Sequence, residues 1–334
     1  MTTPAPRVSM FMASYNGAAY VEAAVRSILD QTVRDLELIV VDDGSNAPTL
    51  DILRRLAASD ARMRLVENAH LGQIGTLNHA LSLCRGAFVG RLDHDDVALP
   101  DRLARQLAFL DAHADVAAVG GELEFVDADG KSIARKRADP LKRLRYQPLA
   151  FPPKQVFLSG STVLARKAAW DRTGGFRAEF AAAEDRDICW LLAAQGPVVR
   201  LPASVVRYRV HASNMSLLAR RTQLYSQFLC SLSAVAAALG RDDTEIRKAI
   251  VPGGDYSGAI EEYRVLLDGL YPVETYRLFF LARMRMWTLG NYADGKALAH
   301  AISAHWREKP FSPARLRTLW TAWRYTRRKS AVAD

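Results

Sequence analysis

The first hundred residues alternate between short, nearly continuous apolar runs and longer stretches of helical period. The runs at 8–12, 36–41, 63–66 and 87–92 are apolar along their length and read as strands. Between them, 18–31, 48–58 and 74–83 repeat apolar residues three and four apart. Val21, Ala24, Val25, Ile28 and Leu29 share one helical face, as do Leu50, Leu53, Leu56 and Ala57. Such strands alternating with helices predict a parallel sheet covered on both faces. A further helix is predicted at 102–113, and then the pattern changes. Residues 116–126 read as a strand pair, and Asp127-Ala128-Asp129-Gly130 as a hairpin turn. Residues 131–145, with seven Lys/Arg, one acid and no clear period, read as a mobile basic loop. Residues 156–164 are strand-like, and 167–173 form a short helix closed by Gly174-Gly175. A helix is predicted at 184–194 with Ile188, Leu191 and Leu192 inward, then strands at 198–201 and 205–210. Beyond about residue 215 the pattern is nearly all helical, broken at Pro252-Gly253-Gly254 and Gly290-Asn291. The chain thus divides into an α/β domain, 1–215, and a helical C-terminal region, 216–334.

Composition narrows the class without naming it. Of 334 residues, 49% are hydrophobic and 24% charged, as in ordinary globular proteins. Cys84, Cys189 and Cys230 match no metal-ligand or disulfide spacing, which predicts a reducing cytoplasm. The first residues lack a signal-peptide pattern, and no apolar run reaches the ~18 residues of a membrane span. The net charge of +9 is uneven. Residues 306–334 hold eight Lys/Arg against two acids, interleaved with Trp306, Phe311, Trp320, Trp323 and Tyr325. That mixture suits an anionic membrane surface at its cytoplasmic face. Nucleic acid ranks lower as a partner. A terminal helix with its aromatics on the core and a solvated basic face fits equally well.

Parallel sheets bind ligands where strands end and loops open. Three of the four predicted strands end in reactive sequence: Ala13-Ser14-Tyr15-Asn16-Gly17, Asp42-Asp43-Gly44-Ser45 and Asp93-His94-Asp95-Asp96. Three carboxylates in four positions repel unless protons or a cation intervene. Mg²⁺ or Mn²⁺ takes oxygen ligands and keeps positions open for phosphate. In an extended segment Asp93 and Asp95 would point to one side; the alternative is that these acids cap the next helix. Asp43, an acceptor when ionised, suits a base with an N–H edge such as uracil or guanine. Its turn also offers Ser45 or Asn46 as a helix N-cap. Asp185, beside Glu184 and near Asp187, suits a general base whose pKa is moved by its neighbours. Acids at a helix N-terminus are also favoured electrostatically. Trp170, Phe176 and Trp190 read as core.

The segments Val8-Ser9-Met10-Phe11-Met12-Ala13-Ser14-Tyr15-Asn16, Leu38-Ile39-Val40-Val41-Asp42-Asp43-Gly44-Ser45 and Arg91-Leu92-Asp93-His94-Asp95-Asp96 resemble the family 2 glycosyltransferases. So do Leu99-Pro100-Asp101-Arg102, Glu184-Asp185 and Tyr208-Arg209-Val210-His211, in the family's order, over roughly residues 7 to 216. The resemblance implies the GT-A fold: a Rossmann-like, mostly parallel α/β sheet flanked by helices, here with a C-terminal helical extension. It implies a nucleoside-diphosphate-sugar donor, Mn²⁺ or Mg²⁺, and an inverting transfer to a hydroxyl. By that resemblance Ala13, Ser14, Tyr15, Asp43 and Asp93 would bind the nucleotide. Asp95, Asp93 and His211 would hold the metal, Asp185 would be the catalytic base, and Asp96, Glu184 and Asn78 would give support. Where the family often has Ala-Arg-Asn this chain reads Thr76-Leu77-Asn78, without the basic residue. The Gln-x-x-Arg-Trp signature of processive members is absent, which favours single transfers. The expected donor is a UDP-sugar, and the expected acceptor a glycan or glycolipid of a surface polysaccharide pathway.

Two rivals share some of these features. Asp93-His94-Asp95-Asp96-Val97 after an apolar strand also resembles the nucleophile motif of haloacid-dehalogenase-like phosphatases, but three strand–helix units precede it. A membrane-surface protein with a vestigial sugar-nucleotide site would explain the basic tail alone. A dinucleotide oxidoreductase is disfavoured, because no Gly-x-Gly-x-x-Gly follows the first strand.

Overall fold

A computed structural model describes residues 4–135, 142–144, 157–214, 220–238, 240, 242–244 and 247. The chain falls into two units, one ending at Arg220 and the other starting at Arg221. In the first, β1 (Val8–Ser14), β2 (Leu36–Asp42), β3 (Met63–Glu67) and β4 (Phe88–Arg91) pair in parallel in the order β3-β2-β1-β4. They are joined by α1 (Val21–Leu29), α2 (Ala47–Ser59) and α3 (Gly72–Ser82). Side chains alternate across a strand, so β1 and β2 feed two cores. Met10, Met12, Leu38 and Val40 pack with the apolar faces of α1 and α2. Phe11, Ile39 and Val41 pack on the other face with Ile74 and Leu77 of α3. β2 is buried throughout, as a central parallel strand must be.

The second half of the sheet departs from the sequence pattern in instructive places. After the short β5 (Val97–Ala98) and α4 (Arg102–Ala112), β6 (Ala118–Val126) is one strand rather than a pair. Its hairpin partner is β7 (Ser132–Arg135), across the 127–130 turn closed by Gly130 N–H to Asp127 O at 3.0 Å. The basic segment thus supplies β7, and β8 (Lys142–Leu144) pairs with β10 (Val198–Arg209). Edge pairing orders these residues, a long-range effect that local periodicity does not carry. Residues 136–141 lie outside the described set. The expected strand at 156–164 contains a 3₁₀ turn (Gly160–Thr162), and the strand itself, β9 (Leu164–Arg166), follows it. β9 runs antiparallel between β4 and β6. α5 (Lys167–Thr173) ends at Gly174 with φ 75°, as its glycines predict, and α6 is Glu184–Ala193. β10 is continuous where two strands were expected. Its register with β6 shifts between Arg200 and Val206, which absorbs Pro202 and its missing N–H.

β1, β2, β4, β6 and β10 all point the same way, so the loops after them open at one sheet edge. In the second unit the described structure is mainly α7 (Arg220–Ala238). The basic, aromatic stretch 306–334 lies outside the described residues. Among those described, no helix is long and apolar enough to cross a membrane, and the three cysteines are buried.

Candidate active site

The chain turns sharply after β4. Asp96 N–H bonds Asp93 O at 3.2 Å, so 93–96 is not extended and does not put Asp93 and Asp95 on one side. The three carboxylates consequently face different partners. Asp93 accepts from Arg91 Nε at 2.8 Å and from Ser161 Oγ at 2.9 Å. Burial pushes its pKa up, but Arg91 and Ser161 outweigh that and hold it below the usual carboxylate range. Asp95 Oδ2 lies 3.0 Å from His211 Nε2, and His211 Nδ1 lies 2.8 Å from Ser213 Oγ. Asp96 is buried, and its Oδ1 accepts from the Arg209 N–H at 3.0 Å. Burial, then Asp95 and Asp93, push its carboxyl well above the ordinary value. Arg209 Nε also donates to Asp95 O at 3.0 Å, and its Nη1 to Ala128 O at 2.7 Å, tying this loop to the β6–β7 hairpin.

The loops after β1 and β2 interlock beside it. Asn16 takes a left-handed conformation, φ 51°, which an Asn tolerates better than most residues. Its N–H donates to Ser45 Oγ at 2.8 Å and its Oδ1 accepts from Asn46 N–H at 2.9 Å. Asn46 is the N-cap of α2, with Pro48 in the first turn. Asp43 N–H donates to Ser14 O at 2.8 Å, and its buried carboxylate accepts from Leu71 N–H at 2.6 Å. His70 Nδ1 lies 3.0 Å from Asp43 Oδ2, and its ring stands 4.8 Å from that of half-exposed Tyr15. Ala13 O faces His94 Nδ1 at 3.3 Å. Any Cβ at Gly17 would come within 2.6 Å of the His94 ring, so glycine is what lets these loops meet.

The third wall is the N-terminus of α6. Glu184 Oε1 accepts from Arg91 Nη2 at 3.0 Å and from Gln73 Nε2 at 3.0 Å. Asp185, next along, is partly buried; burial and Glu184 push its pKa up to about 7, against the opposing pull of Arg91 and Arg186. Asn78 is spent elsewhere. It bonds both Phe176 N–H (2.8 Å) and Phe176 O (2.9 Å), and so braces the 174–176 loop. The structure therefore gathers Ala13, Ser14, Tyr15 and Asp43 on one side, and Asp95 with His211 on another. Asp93 and Glu184 are joined through Arg91. His70 and Ser161 carry no sequence signal, whereas Arg91 and Arg209 stand inside the quoted segments without an assigned role. Arg91 carries a further signal as a charge closing an apolar strand, which a buried position must answer with carboxylates.

Among the described residues no three His, Cys, Asp or Glu side chains are grouped to hold a metal ion. Asp95 and His211 nonetheless converge as one hard oxygen and one imidazole nitrogen, with His211 Nδ1 held by Ser213. That donor pair would suit Mn²⁺, with phosphate oxygens supplying further positions, better than Mg²⁺, which prefers oxygen ligands throughout.

Comparison with known proteins follows the same outline. A family model described as glycosyl transferase family 2 matches residues 9–173. The chain is 30% identical over 212 residues to a chondroitin synthase of Escherichia coli, covering 64% of this chain and 30% of that protein. It thus spans under a third of that relative's length. TarS of S. aureus (residues 1–349), solved in complex with UDP-GlcNAc, superposes with a TM-score of 0.58 at 18% identity. That match covers 73% of this chain and 70% of the other. A mannosyltransferase, PcManGT from Pyrobaculum calidifontis, solved with GDP-Man and Mn2+, gives 0.50 at 19% identity, over 79% and 86%. At these identities the two structures share the fold.

Proposed function

The chain belongs to glycosyl transferase family 2 with a GT-A fold, and from that premise we propose that it is an inverting, metal-dependent, non-processive transferase. It moves a sugar from a nucleoside-diphosphate sugar, in the simplest case a UDP-sugar, to a hydroxyl of a glycan or lipid-linked acceptor. The pathway is assembly of a surface polysaccharide, and the protein works at the inner membrane face. The observation that carries the reading is Asp185, with a pKa near 7, at the same sheet edge as the Asp95–His211 pair. A base with a pKa near the operating pH takes a hydroxyl proton efficiently.

Ala13, Ser14 and Tyr15 line the base pocket, and Asp43 accepts the N–H of the base. The Leu71 N–H and His70 leave lone pairs on the Asp43 oxygens for that bond. Asp95 and His211 would hold Mn²⁺ or Mg²⁺, which supplies a Lewis acid for the charge growing on the leaving diphosphate. Asp93, kept ionised by Arg91 and Ser161, accepts hydroxyls of the sugar or ribose. Asp96 serves as a brace for the loop. Asp185 takes the proton from the acceptor hydroxyl as that oxygen attacks the anomeric carbon from the face opposite the diphosphate, so the anomeric centre inverts. TarS with UDP-GlcNAc supports a uridine donor, and the mannosyltransferase with GDP-Man supports the metal while keeping guanosine in play.

Binding to the native state raises the melting temperature by mass action. UDP, GDP, UDP-GlcNAc, UDP-glucuronic acid and GDP-mannose, each with and without Mn²⁺, are expected to separate in a thermal-shift screen. At least one should stabilise the protein, and more so with Mn²⁺. Stabilisation by none of them would overturn the reading.

A further inference from the structure

Arg91 closes β4, and only 6% of its side chain is exposed. A buried guanidinium is costly unless its charge is met. Two carboxylates meet it from different elements: Asp93 at Nε, 2.8 Å, and Glu184 at Nη2, 3.0 Å. The guanidinium stands 5.7 Å from the Phe176 ring centroid. On another side lies Gly160, where a Cβ would come within 2.8 Å of Nη1. Glu184 is held a second time by Gln73 of α3. Buried ion pairs add little net stability over apolar residues of the same size, and their better-attested use is to fix one arrangement. The arrangement fixed here is the distance between the 93–96 loop and the first turn of α6.

We propose that Arg91 is the positioning residue of this site: by gripping Asp93 with Nε and Glu184 with Nη2, it sets the span between the donor-binding loop and the helix that presents Asp185 to the acceptor hydroxyl. The proposal rests on Asp185 acting as the base. Charged groups reach Asp185 from two elements: Glu184 and Arg186 along α6, and Arg91 from β4. Asp187 is turned to Arg177, and Cys189 is a neutral thiol pushed up to about 12 by burial. Arg91 is thus the cation that another element sends to offset Glu184. The same grip that sets the span also keeps Asp185 from rising further.

The test is a ¹³C NMR titration of the full chain labelled at aspartate Cγ, with the Asp185 resonance assigned through Asp185→Asn. Alongside it, sugar transfer or hydrolysis is followed from UDP-GlcNAc, UDP-glucuronic acid and GDP-mannose with Mn²⁺. Arg91→Met is expected to move the Asp185 midpoint to higher pH by about 1 unit, as loss of a nearby opposite charge does. It should also lower kcat more than it changes donor KM. Arg91→Lys keeps the charge and loses the fork, so its midpoint should stay near wild type while transfer falls at least about tenfold. An unmoved midpoint in Arg91→Met, or full transfer by Arg91→Lys, would overturn the proposal; the lysine variant decides alone if the methionine variant does not fold. Full transfer by Asp185→Asn would remove the base itself, whereas an inert Asp185→Asn beside an unmoved Arg91→Met midpoint removes the role of Arg91 only.

Discussion

Asp93, Asp95, Asp96 and Asp185 are chemically identical side chains in four different surroundings, and the tasks proposed for them follow from those surroundings. Asp93 is held ionised by a guanidinium and a hydroxyl, Asp96 is driven towards its neutral form by burial, and Asp95 keeps an imidazole partner. Burial and Glu184 push Asp185 up to about 7. A base must be ionised to work, so transfer should rise with pH through about 7 and level off above it. Asp185→Asn should lower the rate by about 10³, within the range for losing a general base, with nucleotide stabilisation unchanged. Stopped-assay rates at several pH values and a thermal-shift control check both parts; a wild-type profile flat between about pH 5 and 8 would sink the assignment. Gly160 makes a second residue-scale case. Its alanine variant adds a Cβ 2.8 Å from the buried Arg91 Nη1. Denaturant melts are expected to show a loss of about 1–3 kcal/mol, the usual cost of overpacking.

At the scale of elements, the site is a set of loops and strand ends gathered at one edge of the sheet. The pattern of β1 to β4 and of the helices between them is readable because β1, β2 and β4 are apolar on both faces and each helix on one, while β3, at the sheet edge, still carries Met63, Leu65 and Val66. The loops after β1, β2 and β4 are therefore legible as one edge from the sequence pattern. β9 was not, because three residues wedged antiparallel between β4 and β6 carry too little pattern to announce themselves. Nor was the single β10, whose Pro202 looks like a break and is a bulge. The turn at 93–96 defeated the alternation argument for the same reason: one backbone hydrogen bond, Asp96 N–H to Asp93 O, redirects the side chains. What that turn achieves is testable. Asp95 and His211 come from loops 116 positions apart, and their meeting depends on Arg209 and the hairpin it reaches. His211→Ala is expected to abolish the extra stabilisation that Mn²⁺ gives to UDP or GDP, while leaving the metal-free shift intact. Asp43→Ala should remove the nucleotide shift with or without Mn²⁺. If the two variants behave alike in this assay, metal and base recognition are not separated as the loops suggest.

At the scale of the whole molecule, the group proposed as the base opposes folding. Asp185 has its carboxyl raised from 3.8 to about 7 in the folded state. Below about pH 4 both folded and unfolded chains carry its proton, and the group has no effect on stability. Between about pH 4 and 7 the unfolded chain has released that proton and the folded one still binds it, so stability falls as pH rises, and the penalty is constant above about pH 7. Depressed carboxyls such as Glu37 and Asp60 act in the opposite sense. Their contribution is present above the usual carboxylate pKa and disappears as pH falls through their lower folded values. They remain in an Asp185→Asn protein, so they cancel when it is compared with wild type. Asparagine carries no proton to lose, and the variant should therefore melt higher than wild type at about pH 8, with the difference shrinking towards zero near about pH 4. Paired melting curves across that range measure it directly. A variant that is less stable at every pH, or offset by a constant amount, would mean that Asp185 is held by contacts rather than strained by burial. A difference that closes on acidification would identify it as a site where stability is given up for reactivity.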